Sequence, residues 1–372
     1  MERHADFLRD FRGDTIHPST MEVMHDLGIL AEFLKLPHQP VPRLFAQFGP
    51  ERLLVADFSR LRVHAPFIAM MPQWDFLNFL AEKAKALPGF RLIMQTEARE
   101  LLRQRGRITG VAAQTVDGAL EISAPLTVAA DGRSSRMREV AGLRVRDLGA
   151  PIDVLWFRLS RRSSDTDETQ GRFEAGQILI TLNRGAYWQC AYAVPKGGFD
   201  DKKAAGIATF RDELSRMLPF GSERAEELNS WEQIKLLSVQ VNRLETWWRA
   251  GLLCIGDAAH AMSPVGGVGV NLAVQDAVAA ANILARPLLQ NKLADRHLKA
   301  VQHRRERPTW ATQRLQVLIQ HRVLLNVLRS GSAFRAPLAL RIITAVPLLR
   351  DIPGRIVGMG LRPERPRFDA WR

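Results

Sequence analysis

Residues 251–277, GLLCIGDAAHAMSPVGGVGVNLAVQDA, hold the densest run of chemistry-bearing groups in the chain. Residues 252–255 read as a short buried strand, Gly256-Asp257 as a turn, and 263–269 as a loop shaped by Pro264, Gly266, Gly267, Val268 and Gly269. A helix is expected from about Val270, with Asn271 in its first turn. A carboxylate carried by a strand into exposed amides beside a helix N-terminus suits a polar, partly anionic ligand. Asp131 has a similar setting, following the apolar run LTVAA at 126–130, which reads as a central strand covered on both faces. An Asp-Gly turn that binds nothing remains the alternative there. Three further polar residues have two readings each. Arg12, before a Pro-Ser helix start, suits a phosphate or a solvated loop. Gln73 suits a ligand donor or a solvent-facing helix start, and Glu2 a ribose-binding acid or a frayed terminus. His260 looks like a base but is read as packing or orienting.

These groups need a scaffold to converge. Residues 19–30 read as one amphipathic helix, and a second begins near Pro72 and ends at Pro88-Gly89, with Trp74, Leu77, Leu80 and Ala84 on one face. Runs within 37–71, then 90–98, 108–114, 150–162, 178–183, 187–194 and 234–241, alternate as strands, with a hairpin turn at Asp117-Gly118. KKAAGIATFRDELSRMLP reads as a single amphipathic helix, and helices are expected to 289 and over 298–320, the latter across Pro308. The implied layout is a discontinuous nucleotide-type domain, 1–36, 72–150 and 242–320, interleaved with a β-rich substrate domain, 37–71 and 151–241. Ligands sit in the crevice between such units. Trp188, Tyr192 and Gln240 are candidate substrate-pocket residues.

A chain of 372 residues, 46% hydrophobic, exceeds the usual size of a single core. Cys190 and Cys254 lie in apolar runs without metal-ligand or disulfide spacing, which suits a reducing cytoplasm, and no metal site is expected. No apolar run approaches the length of a bilayer span, and the N-terminal MERHADFLRD carries no signal region, so the chain reads as cytoplasmic or peripheral. The net charge of +13 is mostly dispersed Arg without interleaved aromatics, which argues against a nucleic-acid partner. Residues 321–372 differ, with ten Arg and no Lys against Asp351, Glu364 and Asp369, among apolar residues from Leu324 to Leu348. They read as short basic amphipathic helices that pack on the protein itself or lie on an anionic membrane at its inner face.

RGDTIHPST at 12–20, VAADGRSSRMR at 128–138 and LLCIGDAAHAMSPVGGVGVNLAVQDA at 252–277 together resemble the class A flavoprotein monooxygenases, the p-hydroxybenzoate hydroxylase-like family that includes ubiquinone-pathway hydroxylases. The resemblance implies an α/β fold, a Rossmann-like FAD-binding domain interleaved with a β-rich substrate domain, plus a helical C-terminal region. It implies that Asp257 binds the ribityl chain while Pro264 and the amides of 266–271 hold the flavin's pyrimidine edge. Arg12 would reach the pyrophosphate, Gln73 the ribityl chain and Glu2 the adenosine ribose, with Asp131 serving both FAD and NAD(P)H. In that family FAD reduced by NAD(P)H combines with O₂ to a C4a-hydroperoxide, which passes OH to an aromatic or apolar small molecule.

Such enzymes open with a strand, a G-x-G-x-x-G turn and a helix that seats the pyrophosphate, and no G-x-G-x-x-G occurs within these 372 residues. The expectation is therefore an N-terminally incomplete FAD domain, short of a unit of roughly 30 residues. Two alternatives stay open. One is a flavin-dependent reductase on the same fold; the other is a non-catalytic truncated homologue.

Overall fold

The computed structural model describes residues 1–8, 15–331, 334–346 and 349–368. Arg12, Leu348 and Asp369 lie outside the described residues. Two sheets do most of the positioning. In the smaller one, Thr127–Ala129 runs parallel to Leu252–Cys254, with Trp248–Arg249 antiparallel on the other side. Leu252, Leu253 and Cys254 are fully buried. Alternation sends Leu252 and Cys254 toward Trp247 and Met137, and Leu253 toward Leu284 and Val301.

The larger sheet has seven strands drawn from two distant stretches. Arg43–Phe48 and Glu51–Asp57 join Ile152–Ser160, Gln170–Glu174, Gln177–Asn183, Tyr187–Pro195 and Lys235–Leu237. The junction between the stretches, Arg43–Phe48 beside Gln170–Glu174, is parallel, and the rest of the sheet is antiparallel. Residues 43–57 and 152–237 thus share one sheet, whereas Gln39–Val41 and Ile68–Met70 form a separate three-stranded sheet with Thr15–Ile16.

The helices are α1 (Pro18–Asp26), α2 (Leu30–Phe33), α3 (Gln73–Lys85), α4 (Arg136–Val140), α5 (Phe199–Ala205), α6 (Ile207–Met217), α7 (Gly269–Leu289), α8 (Asp295–Ile319), α9 (Leu325–Arg329), α10 (Leu338–Ala345) and α11 (Asp351–Met359). α6 covers one face of the large sheet through Phe210, Leu214 and Met217, packed on Phe157, Cys190 and Tyr192.

Several expectations change. The helix expected over 19–30 stops at Asp26, where Gly28 at φ 74° turns the chain into α2. Likewise Gly206 at φ 90° splits the helix expected near 202–219 into α5 and α6. Residues 90–96 are not a strand; the hairpin's first strand is Glu97–Gln104, while Ile93, Gln95 and Thr96 bond the backbone of Glu2 and His4 instead. The strand expected over 234–241 is confined to Lys235–Leu237. Thr127–Ala129 is not covered on both faces, since Val128 is 46% exposed at the sheet's edge. Finally, the helix that includes α7 is apolar and long enough to cross a membrane by composition, though half of that window is buried in protein. Its buried Gln275, Asp276 and Asn282 identify a core helix.

The outer part of the large sheet is pinned by a buried ion pair. Arg224 and Asp165 meet through two hydrogen bonds of 3.0 and 2.9 Å, and Trp188 Nε1 donates to the same carboxylate at 3.0 Å. Burial alone would raise the Asp165 pKa, but donation from Arg224, the Arg162 amide and Trp188 outweighs it and holds the pKa at about 2. Asp165→Asn strands the Arg224 guanidinium in the core and is expected to cost about 3–5 kcal/mol in denaturant unfolding. A loss under about 1 kcal/mol, the range of an exposed pair, would refute a structural role for this bridge.

Candidate functional site

The parallel pair Thr127–Ala129 and Leu252–Cys254 brings two turns to one edge, because Ile255 N donates to Ala129 O at 3.0 Å just before each strand ends. Asp131 and Asp257 therefore emerge side by side from adjacent strand C-termini, where open α/β sheets bind ligands. Their carboxylates are used differently. Asp131 Oδ1 accepts from Ser135 Oγ at 2.5 Å and Oδ2 from Met137 N at 3.0 Å, so this side chain caps the start of α4. The half-buried Asp257 carboxylate has no hydrogen bond or ion pair among the described residues.

Behind Asp257 lies a fully buried carboxylate, Asp276 of α7. Its Oδ2 accepts from Gly256 N at 3.0 Å and contacts His260 Nε2 at 2.5 Å, while its Oδ1 accepts from Arg305 Nε at 3.0 Å. Burial would raise the Asp276 pKa, but His260 and Arg305 outweigh it and hold the group below its ordinary range. His260 thus orients a carboxylate rather than facing open space, with the Trp247 ring 4.9 Å away.

The Pro264–Gly269 loop is held from two sides. From α8, Gln316 Nε2 donates to Ser263 O and Val265 O at 3.0 and 2.8 Å, and from the wider helical turn that follows it Gln320 Nε2 donates to Ser263 Oγ at 2.6 Å. Gln313, one turn earlier, donates to Asn242 O and Ala261 O at 2.8 and 3.0 Å. From the strand Thr15–Ile16, Thr15 Oγ1 donates to Gly267 O at 2.9 Å. Asn271 Oδ1 accepts from Thr20 Oγ1 at 2.6 Å and from His17 N at 3.3 Å. Asn271 Nδ2 and His17 Nε2 are buried and left without partners. Two orphaned polar atoms beside one glycine-rich loop call for a ligand edge.

Of the residues expected from sequence, Gly256 and Asp257 lie in the turn after Leu252–Cys254, Pro264, Gly266, Gly267, Val268 and Gly269 in the loop, and Asn271 is buried in the first turn of α7. Gln73 opens α3 just after Ile68–Met70, which pairs with Thr15–Ile16, so it stands near the loop's support. Glu2 lies in an extended segment beside Ile93 and Thr96, with Oε1 accepting from His4 N at 3.0 Å. The substrate-pocket expectation needs correction. Trp188 and Tyr192 point to the α6 side of the large sheet, away from the loop, with Tyr192 OH donating to Glu213 at 2.9 Å. Gln240 lies outside any strand and is exposed. Side-chain parity explains the error, because even positions in Tyr187–Pro195 face α6, whereas Ala191 and Ala193 face the other way. Val265 of the loop packs with Ile178 and Ala193 on that second face. Sequence reading missed Thr15, His17, Thr20, Asp276 and Arg305, and also the glutamines at 313, 316 and 320, although i, i+3, i+7 spacing on a helix was a usable signal.

Residues 1–315 match the family described as FAD binding domain. The 6-methylpretetramide 4-monooxygenase of Streptomyces rimosus is 30% identical over 375 residues, covering 100% of this chain and 88% of that protein. A rifampicin monooxygenase of Streptomyces venezuelae is 26% identical over 74% of this chain and 56% of that protein. In fold, the p-nitrophenol 4-monooxygenase PnpA of Pseudomonas putida aligns with a TM-score of 0.72 at 17% identity, covering 96% of this chain and 87% of that one. The chain belongs to the FAD binding domain family and, within it, to the class A FAD-dependent aromatic monooxygenases.

FAD is the cofactor of this family, and the residues present fit its flavin end. The unpartnered Asn271 Nδ2, the amides at the start of α7 and the free Asp257 carboxylate offer donors and an acceptor at the loop. His17 supplies a test of this packing that does not need flavin. Burial pushes its pKa from 6.5 down to about 4, against hydrogen bonding to backbone carbonyls such as that of Val357. The unfolded chain therefore binds a proton that the native protein refuses, so stability present above about pH 6.5 is lost as pH falls toward 4, by about 3 kcal/mol. His17→Gln should flatten this part of the stability–pH curve. An unchanged slope between wild type and variant would show that His17 does not carry it.

Proposed function

We propose that this protein hydroxylates an aromatic or otherwise apolar small molecule, using NAD(P)H as reductant and O₂ as the oxygen source. When bound and reduced, FAD supplies the activation of O₂. The chain's own residues bind, orient and exclude water. The observation that carries this reading is the pairing of a polar loop beside the orphaned donor Asn271 Nδ2 with an apolar sheet face next to it. The α7 N-terminal amides and Asn271 favour negative charge on whatever edge they face.

The substrate lies against the inner face of the large sheet, where Ile180 and Leu182 are half-buried next to Ala191 and Gln189 in register. Val265 joins that face to the loop. Arg184 Nε donates to Gln189 Oε1 at 2.9 Å, so one polar group is fixed within an otherwise apolar wall. Such a surface holds a flat apolar ring and leaves little water around it. In this reading Asp257 holds the ribityl chain with Gln73, and Pro264 borders the flavin ring. We place the enzyme in the cytoplasm, because Cys190 and Cys254 are buried free thiols and burial pushes Cys254 up to about 12.

Two measurements test the reading. Reaction under labelled dioxygen with a panel of phenols and polycyclic aromatics should give NAD(P)H oxidation coupled to one labelled oxygen in the product. Substrate-dependent NAD(P)H oxidation without incorporation would instead identify a reductase. Ile180→Trp should lower kcat/KM on the order of tenfold, since overfilling an apolar pocket costs about 1–3 kcal/mol, while leaving FAD affinity unchanged. Equal loss of FAD would place Ile180 outside the substrate pocket.

A further inference from the structure

We propose that α10 and α11 form a docking face for an anionic lipid surface, independently of the reaction catalysed. The placement of both helices is set from their inner sides. α11 packs through Gly354 and Gly358, where an added Cβ would lie 2.3 Å from Asp57 O and 2.9 Å from the Leu61 side chain. Only glycine permits this approach, so the helix cannot roll, and Ile352 and Arg355 are directed outward. α10 turns Leu340 inward, onto the cluster of Ala46, Phe48 and Ala336.

What remains outward is apolar and basic together. Leu338 is 69% exposed, Ile342 46% and Val346 37%, and their spacing of four residues puts them on one stripe. Ile352 at the start of α11 is 45% exposed. Exposed Arg335, Arg341, Arg350 and Arg355 alternate with them along the chain, and the acids Asp351 and Glu51 are each already paired, Asp351 with Arg60 at 2.9 Å. Arg341 also reaches Glu51 at 3.1 Å. Single exposed apolar residues are ordinary, but a helical stripe of them set among guanidinium groups is not.

The chemistry selects the occupant. The stripe stands on the convex outer side of a helix, so it offers no groove for a peptide. Its apolar centre suits neither RNA nor DNA, whose binding surfaces are polar and stacked. An interfacial layer of acyl chains and phosphates matches it, with Leu338, Ile342, Val346 and Ile352 entering the acyl boundary and the arginines pairing with headgroup phosphates. The inner side of the neighbouring α11 touches the loop's support, since Val357 O accepts from His17 Nδ1 at 2.8 Å. A membrane bound here would lie one helix away from the loop that borders the flavin ring.

The test uses the whole protein with extruded vesicles of phosphatidylcholine, with and without phosphatidylglycerol, in a flotation assay. Binding is expected only to vesicles containing phosphatidylglycerol, weakening as salt is added. Each of Arg335→Gln, Arg350→Gln and Arg355→Gln should lower the partition coefficient about fivefold, from roughly 1 kcal/mol per basic residue at an anionic surface. Leu338→Ser with Ile342→Ser should abolish binding while keeping the wild-type melting temperature, because both side chains are already exposed. No flotation at low salt, or binding indifferent to these substitutions, overturns the proposal. So does concentration-dependent self-association in light scattering that the same Leu338 and Ile342 changes abolish, since the stripe would then be an interface between copies of this chain.

Discussion

The Asp276 carboxylate is the interaction on which the rest of the site depends. A charge with no exposed surface survives only if its neighbours fully compensate it, and here a backbone amide, an imidazole and a guanidinium all point at it. Each partner belongs to a different part of the molecule. Gly256 is the turn that presents Asp257, His260 follows that turn, and Arg305 comes from the middle of α8. Arg305 also donates to Arg362 O at 3.0 Å and approaches Glu364 Oε1 at 3.4 Å. One buried group thereby ties the ligand-facing turn, two long helices and the C-terminal segment to a common origin.

The second support is neutral and works differently. Gln313 and Gln316 spend their amides on backbone carbonyls of the loop and of the strands beside it, and Gln320 donates to the Ser263 hydroxyl, satisfying polar atoms that a non-repetitive segment cannot pair within itself. A loop so anchored keeps its amides in place before any ligand arrives, and that pre-organisation is what electrostatic stabilisation requires. Asn271 Nδ2 and His17 Nε2 are two of several buried side-chain atoms in this region left without a partner, and they are the two on the Thr15–Asn271 side of the loop.

Much of this was legible in the residues. The turn at Gly256-Asp257, the loop after it, the long helices and the Asp117-Gly118 hairpin all follow from local signals: glycine and proline punctuation, continuous apolar runs and helical spacing. Contacts between distant segments were not legible. Nothing local announces that Thr15 supports Gly267, or that residues 43–57 add strands to a sheet made mostly from 152–237. The strand expected over 90–98 failed for the same reason, because alternation there reflects pairing with the N-terminal segment rather than with the hairpin. Trp188 and Tyr192 are pocket candidates by their place on a strand expected to line it, yet their polar tips are consumed by Asp165 and Glu213 in a core that faces α6.

The parity of the seven-stranded sheet bears on how such a protein can change over time. One face is welded by aromatic packing and a buried ion pair, while the other is lined by small and aliphatic side chains at intervening positions of the same strands. On the proposed reading, neighbouring residues in the chain answer to different demands, cohesion under α6 on one side and substrate contact on the other. Ala191 and Ala193 are themselves buried, against Val239 and Val241 and against Leu324 and Val327, so a substitution there must keep that packing while it alters what the face presents. A lineage built on this sheet could diversify what it accepts by drift at alternate residues, with its fold left intact.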